Sequence, residues 1–211
     1  GWPTALAIIA AATMTLGNLA MIPQRNAVRL LAYSSIAQSG YLLMGVAALE
    51  GSEQGLPALM FYAMAYAAAN LAVFAVVVAV QRERRSVDVA ALAGLGRSHP
   101  WWTAALVLGV LSLIGIPPLA GFVAKLEVFR AAIDAGQAWL AVVAVANTVI
   151  SIYPYLRLAA PAVLDPAGRE RPRRSIGAPL AAATAVAAAL VVAIGVGAQP
   201  LLELAGNAVT L

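Results

Sequence analysis

Cysteine is absent from the 211 residues, and histidine and lysine occur once each, as His99 and Lys125. Without thiols there is no disulfide, iron–sulfur cluster or thiolate metal site, and one imidazole cannot build a haem or zinc centre. Gly-rich phosphate loops, catalytic triads and paired-carboxylate motifs are missing as well. The expectation is therefore that the chain itself holds no metal, cofactor or redox centre. Charge is scarce too, with Asp, Glu, Lys and Arg making up 10% of the residues against 63% apolar. A mean hydropathy of +0.88 rules out an ordinary soluble domain. The net charge of +4 and pI near 9.9 do not point to a nucleic-acid partner. All the basic residues except Lys125 are arginines, and they cluster between or beside apolar runs, as membrane topology requires. The chain opens Gly1-Trp2-Pro3, with neither an initiator Met nor a charged leader. That opening reads as no signal peptide, and as a C-terminal piece of something longer.

What is present is length without charge. Uncharged runs cover residues 1–24, 30–49, 54–81, 98–124, 135–156 and 175–202. About 20 apolar residues cross the hydrocarbon core as a helix, so each run can span a membrane. The fold expected is an all-α polytopic transmembrane bundle of about six crossings, forming one domain over 1–211. Its helices fall near 4–22, 29–49, 56–81, 101–134, 136–160 and 177–198. Arg25, Arg29, Arg82, Arg84, Arg85, Arg97, Arg157, Arg169, Arg171, Arg173 and Arg174 then lie on one side, whereas the 50–55 loop carries Glu50 and Glu53. By the positive-inside rule the arginine side is cytoplasmic and the C-terminus opposite.

The span 101–134 is too long for one simple crossing and contains Gly115, Pro117 and Pro118. Two full crossings there would put the arginines of 169–174 on the wrong face, which favours one interrupted crossing. Prolines remove backbone donors and obstruct carbonyls a turn earlier, while Gly115 and Gly121 ease irregular backbone. In hydrocarbon such a break belongs in the protein interior or against a cavity. The pattern alone is equally compatible with a mere kink.

Lys125 follows Pro118 by seven residues, about 10 Å along a helix. Ionisable groups at membrane depth are costly and by default mark ion paths or proton relays. The competing reading is a snorkelling anchor that reaches the interface. Glu127 and Arg130 can pair with each other, and Lys125, about 200° round from Glu127, points elsewhere. Tyr62, Tyr66 and Asn70 form one polar stripe at i, i+4 and i+8. Ser34, Gln38 and Tyr41 form another, with Ser35 and Ser39 beside it. Either stripe can line a water-filled path, and either can equally be inter-helix glue. Asn18, Asn147, Ser151, Tyr153 and Tyr155 add polar atoms without a specific pattern, the 177–198 helix offers packing only, and His99 beside Trp101-Trp102 reads as a membrane boundary.

Two motifs carry a resemblance. The run RNAVRLLAYSSIAQSGY over 25–41, then LIGIPPLAGF over 113–122 with Lys125, resembles the proton-translocating, antiporter-like subunits of NADH:quinone oxidoreductase, respiratory complex I. The likeness runs through YPYLR at 153–157 nearly to Leu211 and covers the C-terminal part of such a subunit. Type L and M members look like His-x3-His-x3-Lys where this chain has Tyr62, Tyr66 and Asn70, so type N is favoured. Departures are Val28 for a common lysine, Gln38 for a frequent histidine, Glu127 for an aromatic, and Pro154 for a tyrosine, the last implying a kink.

The resemblance implies a bacterial plasma-membrane location and Lys125 as the proton relay. Ser34, Gln38, Tyr41, Tyr62, Tyr66 and Asn70 would line or flank the path. The expected partners are protons, the lipid bilayer and other membrane-arm subunits, with NADH, flavin, iron–sulfur clusters and quinone held elsewhere. The alternatives are a subunit of a multi-subunit sodium/proton antiporter and a purely structural membrane-arm scaffold.

Overall fold

The computed structural model describes residues 1–165 and 177–209, and among these every regular element is a helix. They are α1 (Trp2–Met21), α2 (Ala27–Ala47), α3 (Gly55–Arg84), a 3₁₀ turn (Val89–Leu92), α4 (Leu95–Ser98), α5 (Pro100–Ile114), α6 (Ala120–Asp134), α7 (Ala138–Leu164), α8 (Ala178–Val196) and α9 (Ala198–Val209). Five of them, α1, α2, α3, α7 and α8, are long and apolar enough to cross a membrane, and the expected interrupted span appears as the shorter apolar helix α5 followed by α6. Helix α9 was not expected: Pro200, Glu203 and Asn207 interrupt the apolar run, yet Pro200 sits in the first turn, where its missing N–H costs nothing. Helix α3 runs on through Arg84, because cations in a last turn suit the helix dipole. Helix α7 continues unbroken past Pro154 and Pro161.

Local chemistry sets several of the ends. Asn26 caps α2 by accepting the Arg29 amide at 3.0 Å. Pro3, Pro100 and Pro179 stand in first turns, where a proline has no intrahelical bond to lose. The arginine loops gather at one end of the bundle. There the Ala27 amide donates to Val87 O, the Val89 amide to Arg25 O and the Gly94 amide to Pro161 O. Arg157 reaches from α7 to the carbonyls of Met21, Ile22 and Gln24, and Arg84 reaches those of Ala91 and Ala93. At the other end the Gln137 side chain donates to Ala47 O. Arg169, Arg171, Arg173 and Arg174, on which the parity argument also leaned, lie outside the described residues.

The buried core falls into two apolar halves with a polar layer between them. One half holds Met21, Leu30, Val73, Leu106, Leu113 and Leu158, and the other Met14, Met44, Phe61, Ala124, Val128 and Leu140. Three helices carry a buried polar group where they pass from one half to the other: Asn18 in α1, Ser34 and Gln38 in α2, and Asn147 and Ser151 in α7. The α5–α6 pair changes halves at its break, flanked by Ser112 and Lys125. Buried polar atoms without partners are costly, so such a layer persists by bonding across helices.

Candidate functional site

The break begins where α5 ends at Gly115, whose φ of 95° is a left-handed cap that glycine adopts without steric penalty. A helix end frees its last carbonyls, and in a membrane these need partners within the protein. Three of the last four carbonyls of α5 accept a hydrogen bond. Leu111 O accepts the Gly115 and Ile116 amides, both at 3.0 Å. Leu113 O accepts the Gln38 side chain at 3.4 Å, and Ile114 O accepts the Lys125 ammonium at 2.9 Å. A cation at the carbonyl end of α5 is also favoured by the helix dipole. On the far side, α6 comes so close that a Cβ on Gly121 would lie 1.8 Å from Ser112 O, while the Ser112 hydroxyl accepts the Gly121 amide at 3.1 Å. Helix α8 backs the break, since a side chain at Gly195 would strike Pro118 O and the Ala120 amide.

The carbonyl side of the break is buried and borders a cavity. Leu119 and the carbonyls above face inward, but Ile116, Pro117 and Pro118 are exposed on the described surface. The physical reason is that proline has no N–H, and the Ile116 amide is already bonded, so this outer segment presents no unsatisfied donor.

Lys125 is 4% exposed, so the snorkelling alternative does not describe it in this fold. Its stem runs beside Gly115. Its Nζ donates to Ile114 O and, at 3.4 Å, to Thr148 Oγ1, and lies 4.8 Å from the centre of the Tyr41 ring. Glu127 instead pairs with Arg130 at 2.7 Å, and among the described residues no carboxylate lies within ion-pair distance of Lys125. The ammonium is thus held by a carbonyl, a hydroxyl and an aromatic face.

Two hydrogen-bonded chains start from this neighbourhood. In the first, Thr148 Oγ1 lies 3.1 Å from Tyr41 OH, and both hydroxyls bond Ala144 O, at 3.0 and 3.2 Å. In the second, Tyr62 OH donates to Gln38 Oε1, Gln38 Nε2 donates to Tyr155 OH at 3.1 Å, and Tyr155 OH lies 2.6 Å from Ser34 Oγ. The Tyr41 and Tyr62 rings stack with centroids 6.0 Å apart. A small cavity separates the second chain from Lys125, lined by Gln38, Tyr62, Tyr66, Ser112, Gly121 and Lys125. It has space for roughly one water molecule.

Of the residues singled out from sequence, Gln38, Tyr41 and Tyr62 converge on Lys125 or its cavity, and Ser34 joins them only through Tyr155. Tyr66 lines the cavity while donating to Ser35 Oγ at 2.9 Å. Asn70 is not brought in, and its Oδ1 is buried without a partner among the described residues. His99 stands apart, 4.0 Å from Glu83. Two contributors lacked a specific signal. Thr148 was not singled out, and Tyr155 was only one of several unpatterned polar residues, although it is fully buried at the centre of the second chain.

A description of transmembrane segments common to NADH:quinone oxidoreductases and Mrp antiporters matches residues 1–151. The chain belongs to this family. It is 45% identical over 172 residues to NADH-quinone oxidoreductase subunit N 2 of Herpetosiphon aurantiacus, covering 82% of this chain and 32% of that one. To subunit N of Heliobacterium modesticaldum it is 39% identical over 204 residues, covering 97% and 43%. The chain therefore spans less than half the length of these relatives. Among solved structures it resembles a chain of the Mrp complex from Dietzia sp. DQ12-45-1b, with a TM-score of 0.86 and 30% identity over 98% of this chain and 46% of that one. It also resembles a chain of respiratory complex I from Thermus thermophilus, with a TM-score of 0.77 and 34% identity over 95% and 45%.

Proposed function

We propose that the chain works within a proton-translocating, type N membrane subunit of an NADH:quinone oxidoreductase, with Lys125 as its proton relay. The observation that carries this reading is a buried ammonium bonded to a carbonyl freed by a broken helix, with no carboxylate partner among the described residues. A lysine held this way can release a proton without breaking an ion pair, and the cavity beside it has room for a water that could carry that proton away. Gln38 and Tyr62 line that cavity, and Ser34 and Tyr155 extend the polar chain towards the arginine end. Family membership and the subunit N relatives support the assignment to the dehydrogenase. Its partners are then other membrane-arm subunits, the lipid bilayer and protons, and electrons pass through NADH, flavin, iron–sulfur clusters and quinone elsewhere in the complex. The location is a bacterial plasma membrane, with the arginine end cytoplasmic and the C-terminus opposite.

A second reading, a subunit of a sodium/proton antiporter, is favoured by the TM-score to the Mrp chain. Copurification with flavin and iron–sulfur subunits decides for the dehydrogenase, and their absence decides for the antiporter. In the assembled complex, Lys125→Ala lowers NADH-driven proton uptake on the order of tenfold or more while assembly persists. Uptake at the wild-type level would leave the chain a scaffold.

A further inference from the structure

From the contacts around Lys125 we infer that Thr148 is a hydroxyl rotor whose two orientations match the two protonation states of the lysine. The inference rests on the relay reading above. With Lys125 charged, Thr148 Oγ1 accepts from Nζ at 3.4 Å and turns its own hydrogen to Ala144 O at 3.0 Å. Once an N–H bond breaks and the proton leaves on a water in the adjoining cavity, Nζ keeps a lone pair that needs a donor. Ile114 O is a carbonyl and only accepts, and the Tyr41 ring presents a negative face. The Thr148 hydroxyl is the bonded group that can turn round, breaking its bond to Ala144 O and donating to Nζ.

The geometry already covers the consequence of that turn. Tyr41 OH lies 3.2 Å from Ala144 O, so this carbonyl keeps a donor when Thr148 turns away. Thr148 gains and loses no proton itself; it exchanges one hydrogen-bond acceptor for another. Its backbone is fixed by Asn147, whose side chain bonds Asn18 and Thr15 across to α1 at 3.0 Å each. With Oγ1 held in place, the hydroxyl hydrogen turns by rotation about the Cβ–Oγ1 bond.

The test is NADH-driven proton uptake by membrane vesicles carrying the assembled complex, with assembly checked on native gels. Thr148→Val keeps the branched shape and loses the hydroxyl, and it slows uptake about tenfold, the scale of one hydrogen bond to a charged group. Thr148→Ser loses the methyl and keeps the hydroxyl, and it pumps close to wild type. A packing role reverses this order, so wild-type uptake by Thr148→Val, or a loss by Thr148→Ser equal to that of Thr148→Val, overturns the proposal. Should the valine variant fail to assemble, Thr148→Ala takes its place: a tenfold loss rescued only by serine supports the rotor, and unimpaired uptake overturns it. Lys125→Ala is measured alongside. Unchanged uptake there removes the relay reading itself, whereas a loss there with wild-type uptake by Thr148→Val removes the rotor alone.

Discussion

Two regions of the molecule use one physical device to different ends. At the arginine end, Arg157 sits on the carbonyls of Met21, Ile22 and Gln24, where α1 stops. In the polar layer, Lys125 sits on the carbonyl of Ile114, where α5 stops. Both place a cation at the negative end of a helix and give freed carbonyls a donor. A guanidinium stays charged and offers a fixed fork, so Arg157 acts as a permanent clamp between α7 and α1. An ammonium can give up a proton, and the groups around Lys125 include hydroxyls that both donate and accept. What would separate the proposed relay from the clamp is thus the chemistry of the cation and its neutral partners, since the carbonyl platform is common to both.

The comparison breaks most severely if the platform under Lys125 is displaced. Gly121→Ala puts a Cβ against the Ser112 carbonyl and forces α6 off α5, costing about 3 kcal/mol, the upper end for overpacking. The amount of assembled complex and its thermal midpoint in detergent report it, and a wild-type midpoint would mean that the close approach is not needed. Arg157→Ala has a smaller effect, about 2 kcal/mol, because the site is only partly buried. It lowers the thermal midpoint but leaves proton uptake per assembled complex unchanged, as befits a clamp. Smallest is Glu127→Gln, which removes a pair whose arginine is 61% exposed and alters stability by less than about 0.5 kcal/mol. Proton uptake should not respond, since Lys125 does not touch Glu127; a clear response would tie the two charges together.

The interrupted crossing and its lysine were legible because both are local: two prolines, a glycine and a seven-residue spacing suffice. The stripes on α2 and α3 were legible as faces, but periodicity does not say which helix a face meets. Gln38 therefore found Tyr155 and Leu113, and Lys125 found Thr148, through inter-helix registers that no one-helix pattern encodes. Asn70 shows the same limit in reverse, sharing the Tyr62 and Tyr66 stripe while its Oδ1 remains unpartnered.

The direct measurement is NADH-driven proton uptake by the assembled complex carrying Lys125→Arg. This substitution keeps the positive charge and the capacity to donate to Ile114 O, and removes the capacity to release a proton. Uptake should fall to the level of Lys125→Ala. Uptake equal to wild type would mean that a fixed charge at the end of α5 is enough, and that Lys125 is a clamp of the same kind as Arg157.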